Sequence, residues 1–401
     1  MAIFAAVMTG PGLGAIATVQ LLGEAADEIL RQVFRPRSGR PFEPAAGKVL
    51  LGSIADEGEI IDEITIGCEG LGVFAIHCHG NPLIVARIMG LLRHHGAQAV
   101  PAEQLLAGIW ASQKMHDAIS IEAKLALAAV KTIEGAAIIV NQVKAGLAEK
   151  IRQWQDQLDS IPLERITAEA QDILKHSKPA CRIVSGCTIA LVGPPNTGKS
   201  TLLNTLAGRE KALVSNIRGT TRDWVSAEIH IPPLAATIID TAGLDSVASA
   251  SGSIDQAAQQ KTAAIAVRAD LVLLVLDLSQ PAEQLSESIV KPLVGRRAIT
   301  VLNKSDLPSC LDTARVPDTL GPTVRISAKQ GSGIDDLVRT IHRVCDVVDF
   351  NPCAPVAFTD RQLCLLESLQ RSDSYARACS ILSELRESPS LNAGGRFATG
   401  V

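Results

Sequence analysis

The spacing of apolar residues changes along this 401-residue chain, and each change marks a different kind of element. Over residues 1–100, Ala2–Val7, Val49–Ile54, Glu63–Ile66 and Val73–Cys78 carry the short apolar pattern of strands. Ala15–Leu30 and Pro82–His94 have the helical period, and Gly10-Pro11-Gly12-Leu13-Gly14 reads as a turn. From about residue 101 the character becomes helical. Ile119, Ala123, Ala126, Val130, Ile133, Ala137 and Val140 recur at helical spacing within the proline-free stretch Lys114–Leu158. Leu163, Ile166, Ala170 and Ile173 continue the rhythm after Pro162, and Pro179 is expected to end it. Thr188–Val192, Ala236–Ile239, Ala298–Leu302 and Thr323–Ile326 then predict buried strands, and Asp360–Arg386 is helical again.

The pattern predicts a multidomain α/β chain. An α+β N-terminal domain covers 1–100, a helical domain covers 101–185 and resumes at 346–401, and an α/β domain at 186–345 is inserted between its two parts. Such an insertion would bring the two ends of the inserted domain side by side.

Composition narrows the class. A formal net charge of −4 argues against a bulk nucleic-acid binder while leaving room for a local basic site. No apolar run reaches membrane-spanning length, so no membrane association is expected. Met1–Met8 lacks the basic start and the length of a signal peptide. Nine cysteines without paired metal spacing fit a reducing cytoplasm. His77 and His79 share one face of a predicted strand while Cys78 points away, so fewer ligands converge than zinc requires. Cys181 and Cys187 match no redox or zinc spacing and read as small apolar residues. Arg296-Arg297 and His94-His95 read as solvated pairs.

The inserted domain carries the chemistry. Residues 193–200 read GPPNTGKS, directly after the strand Thr188–Val192 and before a helix opening at Ser200-Thr201-Leu202. That is the strand–loop–helix context of a P-loop. Gly193 and Gly198 admit backbone geometry that turns successive N–H groups inward, with Asn196 and Thr197 between them, and the helix N-terminus adds positive potential. Lys199 is expected to reach the β- and γ-phosphates, and Ser200 to ligate Mg2+. DTAG follows at 240–243 (Asp240, Thr241, Ala242, Gly243), with a carboxylate suited to the surroundings of Mg2+ and a glycine N–H for the γ-phosphate.

NKSD at 303–306 and SAK at 327–329 complete the set. Asp306 offers two acceptors matching the ring N–H and exocyclic amine of guanine. Adenine lacks that donor pair, and sites built for hydrogen bonding reject such analogues by roughly 10⁴–10⁵. Asn303 joins Asp306 in the base loop, Lys304 lays its stem over the base, and the Ala328 N–H, between Ser327 and Lys329, meets the guanine oxygen. GTP or GDP with Mg2+ is the expected ligand.

Asn196 together with the stretch 214–223, VSNIRGTTRD, resembles the potassium-loop GTPases, and among them the tRNA modification GTPase MnmE family. The resemblance covers nearly the whole chain and is strongest at 186–345. It implies K+ held by Asn196, Ser215, Ile217 and Thr220, with Thr221 at the Mg2+ position. A cation placed where negative charge develops acts as an arginine finger does, an effect of roughly 10³–10⁵ in rate. It also implies a homodimer through the N-terminal domain, tRNA wobble-uridine modification with a flavoprotein partner, and folate as a ligand.

Several positions depart from that family. Leu244 follows DTAG where Ras-like enzymes carry a water-orienting glutamine. The family's water-orienting glutamate aligns with Asp255, beyond an insertion at 246–252, and Asp255 reads equally as a solvated carboxylate at a helix start. Gln20 stands at a family arginine of the folate pocket, and Leu71 near its glutamate; Lys114 matches a family lysine across a one-residue gap. The last residues are Phe397-Ala398-Thr399-Gly400-Val401, where the family reads Phe-Cys-Ile-Gly-Lys. An alanine supplies neither nucleophile nor acid. The expectation is a GTPase with its nucleotide site kept and its one-carbon chemistry degraded. The alternatives are a GTP-driven regulatory switch with little turnover, or an assembly factor.

Overall fold

The computed structural model describes residues 2–10, 12–112, 117–158, 160–209, 225–240, 268–281, 284–285 and 287–387. These form two compact units. One takes the chain up to Leu125 with the described segment from Ser383; the other runs from Ala126 to Leu382.

The first unit is built on β1 (Ile3–Val7), β2 (Ile16–Leu22), β3 (Phe34–Pro36), β4 (Val49–Asp56), β5 (Glu59–Gly70), β6 (Val73–His79) and β7 (Ala97–Ala99). They pair in the order β3-β4-β5-β6-β2-β1-β7, antiparallel except for β1 against β7. Helices α1 (Ala26–Val33) and α2 (Pro82–His94) supply Ile29, Leu30, Ile88 and Leu92 to a core shared with Val19, Leu21, Ile54, Ile64, Ile66 and Ile76. The helix expected over Ala15–Leu30 is therefore half strand. Ala17, Val19 and Leu21 are buried at a period of two, and β2 hydrogen-bonds to β1 and β6 on its two edges. β-Branched Ile16, Thr18 and Val19 favour that extended form, and the helix begins only at Ala26. The other sheet face buries Phe4, Ala6 and Val73 against Leu105 and Ile109 of α3 (Ala102–Ser112). The change of character read at residue 101 thus does not separate α3 from the sheet.

The stretch read as continuously helical breaks into α4 (Ala118–Ala129), α5 (Ile133–Lys144) and α6 (Leu147–Asp156). Thr132 caps α5 by accepting the Gly135 N–H on its hydroxyl at 3.0 Å, and Ala145-Gly146 separate α5 from α6. In α7 (Leu163–Ser185) the helix continues through Pro179 rather than ending there. Ile166, Ala170, Ile173, Ser177, Ala180 and Ile183 make one buried stripe across the proline, and packing on both sides outweighs the lost hydrogen bond.

The second sheet comprises β8 (Cys187–Val192), β9 (Val225–Ile231), β10 (Leu234–Asp240), β11 (Leu271–Asp277), β12 (Ala298–Asn303) and β13 (Thr323–Arg325). Its order is β13-β12-β11-β8-β10-β9, parallel apart from β9 against β10. Every residue of β11 and β12 is buried, in keeping with their almost wholly apolar sequences, and β11 is a strand that the sequence pattern above did not single out. β8 lies between β10 and β11, so the winding reverses there and a crevice opens at the carboxyl ends of the strands. Helix α8 (Lys199–Arg209) follows β8, and α9 (Ile334–Val344) packs Ile334, Leu337 and Ile341 inward.

Segments before and after this sheet are laced together. Gln142, fully buried on α5, accepts the Leu147 and Val356 N–H groups, each at 2.9 Å, and donates to Ala354 O at 3.1 Å. Ser177 on α7 accepts the Ala357 N–H at 2.8 Å. α10 (Asp360–Gln370) then packs along α7, and α11 (Tyr375–Arg386) begins with Tyr375, whose hydroxyl donates to Ile161 O at 3.0 Å. The single helical run read over Asp360–Arg386 is thus two helices.

Candidate nucleotide site

The loop after β8 is shaped by close approach. Gly193 has φ of 151°, and a Cβ there would collide with Val275 O; Gly198 has φ of 95°, and a Cβ there would collide with the Asn303 amide. Only glycine fits either position. The loop closes on itself through Thr197 Oγ1, which donates to Pro194 O at 3.0 Å. Lys199 is buried, and its ammonium donates to Gly193 O at 2.7 Å and Pro194 O at 2.8 Å. A buried cation is thereby held over a loop whose helix follows at once, an arrangement that attracts phosphate. At the opposite rim Ser200 Oγ donates to Asp240 Oδ2 at 2.6 Å. A hydroxyl and a carboxylate in contact beside a phosphate loop are the donor set Mg2+ takes when phosphates supply its other ligands.

Asn303, at the end of β12, joins the two halves of the site. Its amide donates to Thr197 O at 2.8 Å, and its Oδ1 accepts the Ala328 N–H at 2.9 Å. Thr205 on α8 adds a bond to Ala328 O at 2.7 Å. The sequence reading gave the Ala328 N–H to the guanine oxygen; in this structure that N–H donates to Asn303, which ends β12 beside β13. Lys304, at φ of 60°, donates to Asn196 O at 2.8 Å and to Asp277 Oδ2 at 2.7 Å. Asn196 itself sits at φ of 62°. Asp306 is exposed, and the Ser327 hydroxyl beside it holds its carboxyl below the ordinary carboxylate range. An ionised acceptor facing solvent next to the asparagine tie suits the two donors of a guanine edge.

Asn196, Thr197, Gly198, Asp240, Asn303, Lys304, Asp306, Ser327, Ala328 and Lys329 therefore lie on loops and strand ends of the one sheet, and Lys199, Ser200 and Thr201 on the first turn of α8. Ser215, Ile217, Thr220, Thr221, Thr241, Ala242, Gly243, Leu244 and Asp255 lie outside the described residues, as do Lys114 and the positions from Phe397 to Val401. Sequence reading missed Asp277. It ends the apolar strand β11, as Asp240 ends β10, and that parallel was the available signal.

Other sequence candidates find ordinary partners. His77 Nδ1 lies 3.0 Å from Thr18 Oγ1, and His79 Nδ1 lies 2.7 Å from Asp62 Oδ1. Arg297, read as solvated, pairs with Asp346 at 2.9 Å. Cys187 meets Cys345 in the interior; the hydrogen bond between them and burial push the Cys187 thiol up, and the same bond holds Cys345 down. Gln20, at the position expected to have lost a folate contact, is buried and donates to Glu69 Oε2 at 2.7 Å. The carboxylate that Gln20 meets, Glu69, lies two residues before Leu71, the position read as near the family's glutamate. Glu69 sits at the β5–β6 bulge and reaches Gln20 across β6, while Leu71 is exposed at the hairpin tip. With its amide bonded to that carboxylate, Gln20 does not offer what a guanidinium would, and this pair does not fit a folate head group.

A parallel sheet with a phosphate loop at its reversal point, a magnesium-type rim and an aspartate base loop defines a P-loop guanine-nucleotide protein. A family described as 50S ribosome-binding GTPase matches residues 188–304. The tRNA modification GTPase MnmE of Heliobacterium modesticaldum is 30% identical, with 93% of this chain and 88% of that protein covered. The protein of the same name from Thermotoga maritima is 30% identical over 84% of this chain and 81% of its own length. Among solved structures, the G domain of the T. maritima FeoB iron transporter is 28% identical over 39% of this chain and 98% of that one, with a TM-score of 0.32. The chain belongs to the tRNA modification GTPase MnmE family. It is a GTP-binding protein and a GTPase.

Proposed function

We propose that this protein is a potassium-stimulated GTPase of the wobble-uridine modification type, in which nucleotide turnover drives domain rearrangement while direct one-carbon chemistry has been lost. The observation that carries the reading is Asn303, which bonds phosphate loop and base loop at once and so supports a site that senses both ends of one nucleotide.

In this reading Lys199 holds the β- and γ-phosphates, and Ser200, Thr221 and Asp240 form the Mg2+ position. When bound, Mg2+ neutralises charge on the transferring phosphoryl group. Asn196, Ser215, Ile217 and Thr220 hold K+, Gly243 meets the γ-phosphate and Asp255 orients water. Asp306 selects guanine. Residues 186–345 are an insert in a helical domain, a reading supported by the bonds from Val356 and Ala357 back to Gln142 and Ser177. The N-terminal domain makes the homodimer. The family's flavoprotein partner and tRNA are the expected partners, in the cytoplasm. No helix among the described residues is long and apolar enough to cross a membrane. Loss of the folate step is supported by the bond from buried Gln20 to Glu69 and by Ala398 at the family's cysteine position.

The deciding experiment compares GTP turnover in potassium and in sodium buffer, for the natural protein and for Asn196→Ala. Potassium stimulation lost in the variant is the expected result. Equal rates in both salts, or full stimulation in the variant, reject the mechanism. Comparing tRNA wobble-uridine content by mass spectrometry, with and without the gene, tests the tRNA role separately.

A further inference from the structure

Asp277 belongs to none of the four nucleotide motifs, yet its carboxylate is held on both oxygens and one of them holds the lysine of the base loop. It is buried at the carboxyl end of β11, directly beside Asn303 in the β11–β12 register. One carboxylate oxygen accepts the Lys304 ammonium at 2.7 Å. The other accepts both the backbone N–H and the hydroxyl of Ser279, at 2.9 and 2.7 Å. The backbone of Asp277 is clamped as well: its N–H donates to Gln284 Oε1 and its carbonyl accepts Gln284 Nε2, each at 2.9 Å. Leu278 N donates to Asn303 O at 3.0 Å, tying the same turn to the base loop. Burial favours the neutral acid, but the bonds from Lys304 and Ser279 outweigh it and hold the carboxyl below its ordinary value.

A carboxylate fixed in position and direction in this way has the means to aim a lysine. Lys304 has four rotatable bonds, and a free lysine side chain surrenders that freedom only where its ammonium is held. Here the ammonium has two anchors, the Asp277 carboxylate and Asn196 O of the phosphate loop. We propose that Asp277, held by Ser279 and Gln284, is a positioning residue of the base clamp: it fixes Lys304, and with it the wall of side-chain methylenes against which guanine lies. The inference rests on the guanine-nucleotide reading and assigns a function to a residue outside its motifs. Asp277 reaches the base through Lys304 and not through the base edge, so it governs how long a nucleotide stays and not which purine substituents are read.

The test measures release of methylanthraniloyl-labelled GDP and of the labelled inosine analogue, chased with unlabelled nucleotide in a stopped-flow instrument. Asp277→Ala is expected to speed GDP release on the order of tenfold, the effect of losing one charge-assisted bond. Asp277→Asn, which keeps the shape and loses the charge, falls between the two. In a Lys304→Ala background, Asp277→Ala is expected to add nothing, and in either background the ratio of GDP to inosine diphosphate release stays that of the parent. Asp306→Ala, by contrast, is expected to collapse that ratio. Unchanged release in Asp277→Ala, undiminished acceleration in the Lys304→Ala background, or an altered ratio would each overturn the assignment. Should the alanine variant not fold, Asp277→Asn decides on the same criteria. Failure of the unaltered protein to retain labelled GDP would instead sink the guanine reading itself, which keeps the two failures distinct.

Discussion

Replacing Asn303 by alanine is the sharpest perturbation of the site that the geometry allows. The side chain is 2% exposed and bonds Thr197 O at 2.8 Å and the Ala328 N–H at 2.9 Å. Thr197 and Ala328 are themselves 2% and 3% exposed, so water has little access to replace what is lost. A buried backbone group left without a partner costs about 1–3 kcal/mol, and two are orphaned here. Allowing one to be rescued by local shift, the loss is about 2 kcal/mol. For a unit of this size that lowers the melting temperature by about 4–8 °C. Asn303→Asp keeps the acceptor for Ala328 and sets a carboxylate oxygen against Thr197 O, so it should be as damaging as alanine although it is closer in shape. Both variants should also release GDP about 100-fold faster, because phosphate loop and base loop no longer share a support. Thermal unfolding without nucleotide and stopped-flow release of labelled GDP measure the two effects. An alanine variant melting within about 1 °C of the parent and holding GDP as long would refute the tie.

Gly198→Ala places a Cβ against the Asn303 amide at φ of 95°, and is expected to abolish GDP binding in a calorimeter; measurable binding would show that the loop yields. Gln142→Leu leaves the Leu147 and Val356 N–H groups unpaired and should lower the melting temperature by at least about 6 °C, a value that an unchanged unfolding curve would contradict. Glu169 is raised by burial, but bonds from Lys150, Trp154 and Arg165 outweigh it and hold the carboxyl at about 2. Its folded value is depressed, so its contribution is complete above the ordinary carboxylate range and disappears as pH falls from about 4.5 toward about 2. Because the side chain is 27% exposed, the shift is discounted to about 2 kcal/mol; Glu169→Gln should flatten that limb of a denaturant-against-pH series, and an unflattened limb would assign the acid sensitivity elsewhere.

Sequence alone determined the phosphate loop, the base loop and the buried strands that carry them. Gly193, Gly198, Lys199 and Asp306 are legible because phosphate and guanine each demand residue types that few substitutes provide, at spacings set by a strand, a tight turn and a helix. It determined less where one pattern serves two structures. Ala17, Val19 and Leu21 fit a strand as well as a helix over so short a run, and only the edges offered by β1 and β6 decided for β2. Pro179 looked like a terminus until the buried stripe on both sides of it showed otherwise. The contacts that give the site its support were beyond reading in one dimension. Asp277 to Lys304, Asn303 to Thr197, Gln20 to Glu69 and Cys187 to Cys345 each join segments far apart in the chain. Local propensity says what a segment can become; which side chains then meet depends on strand order and helix packing, and those are settled only when the whole core closes.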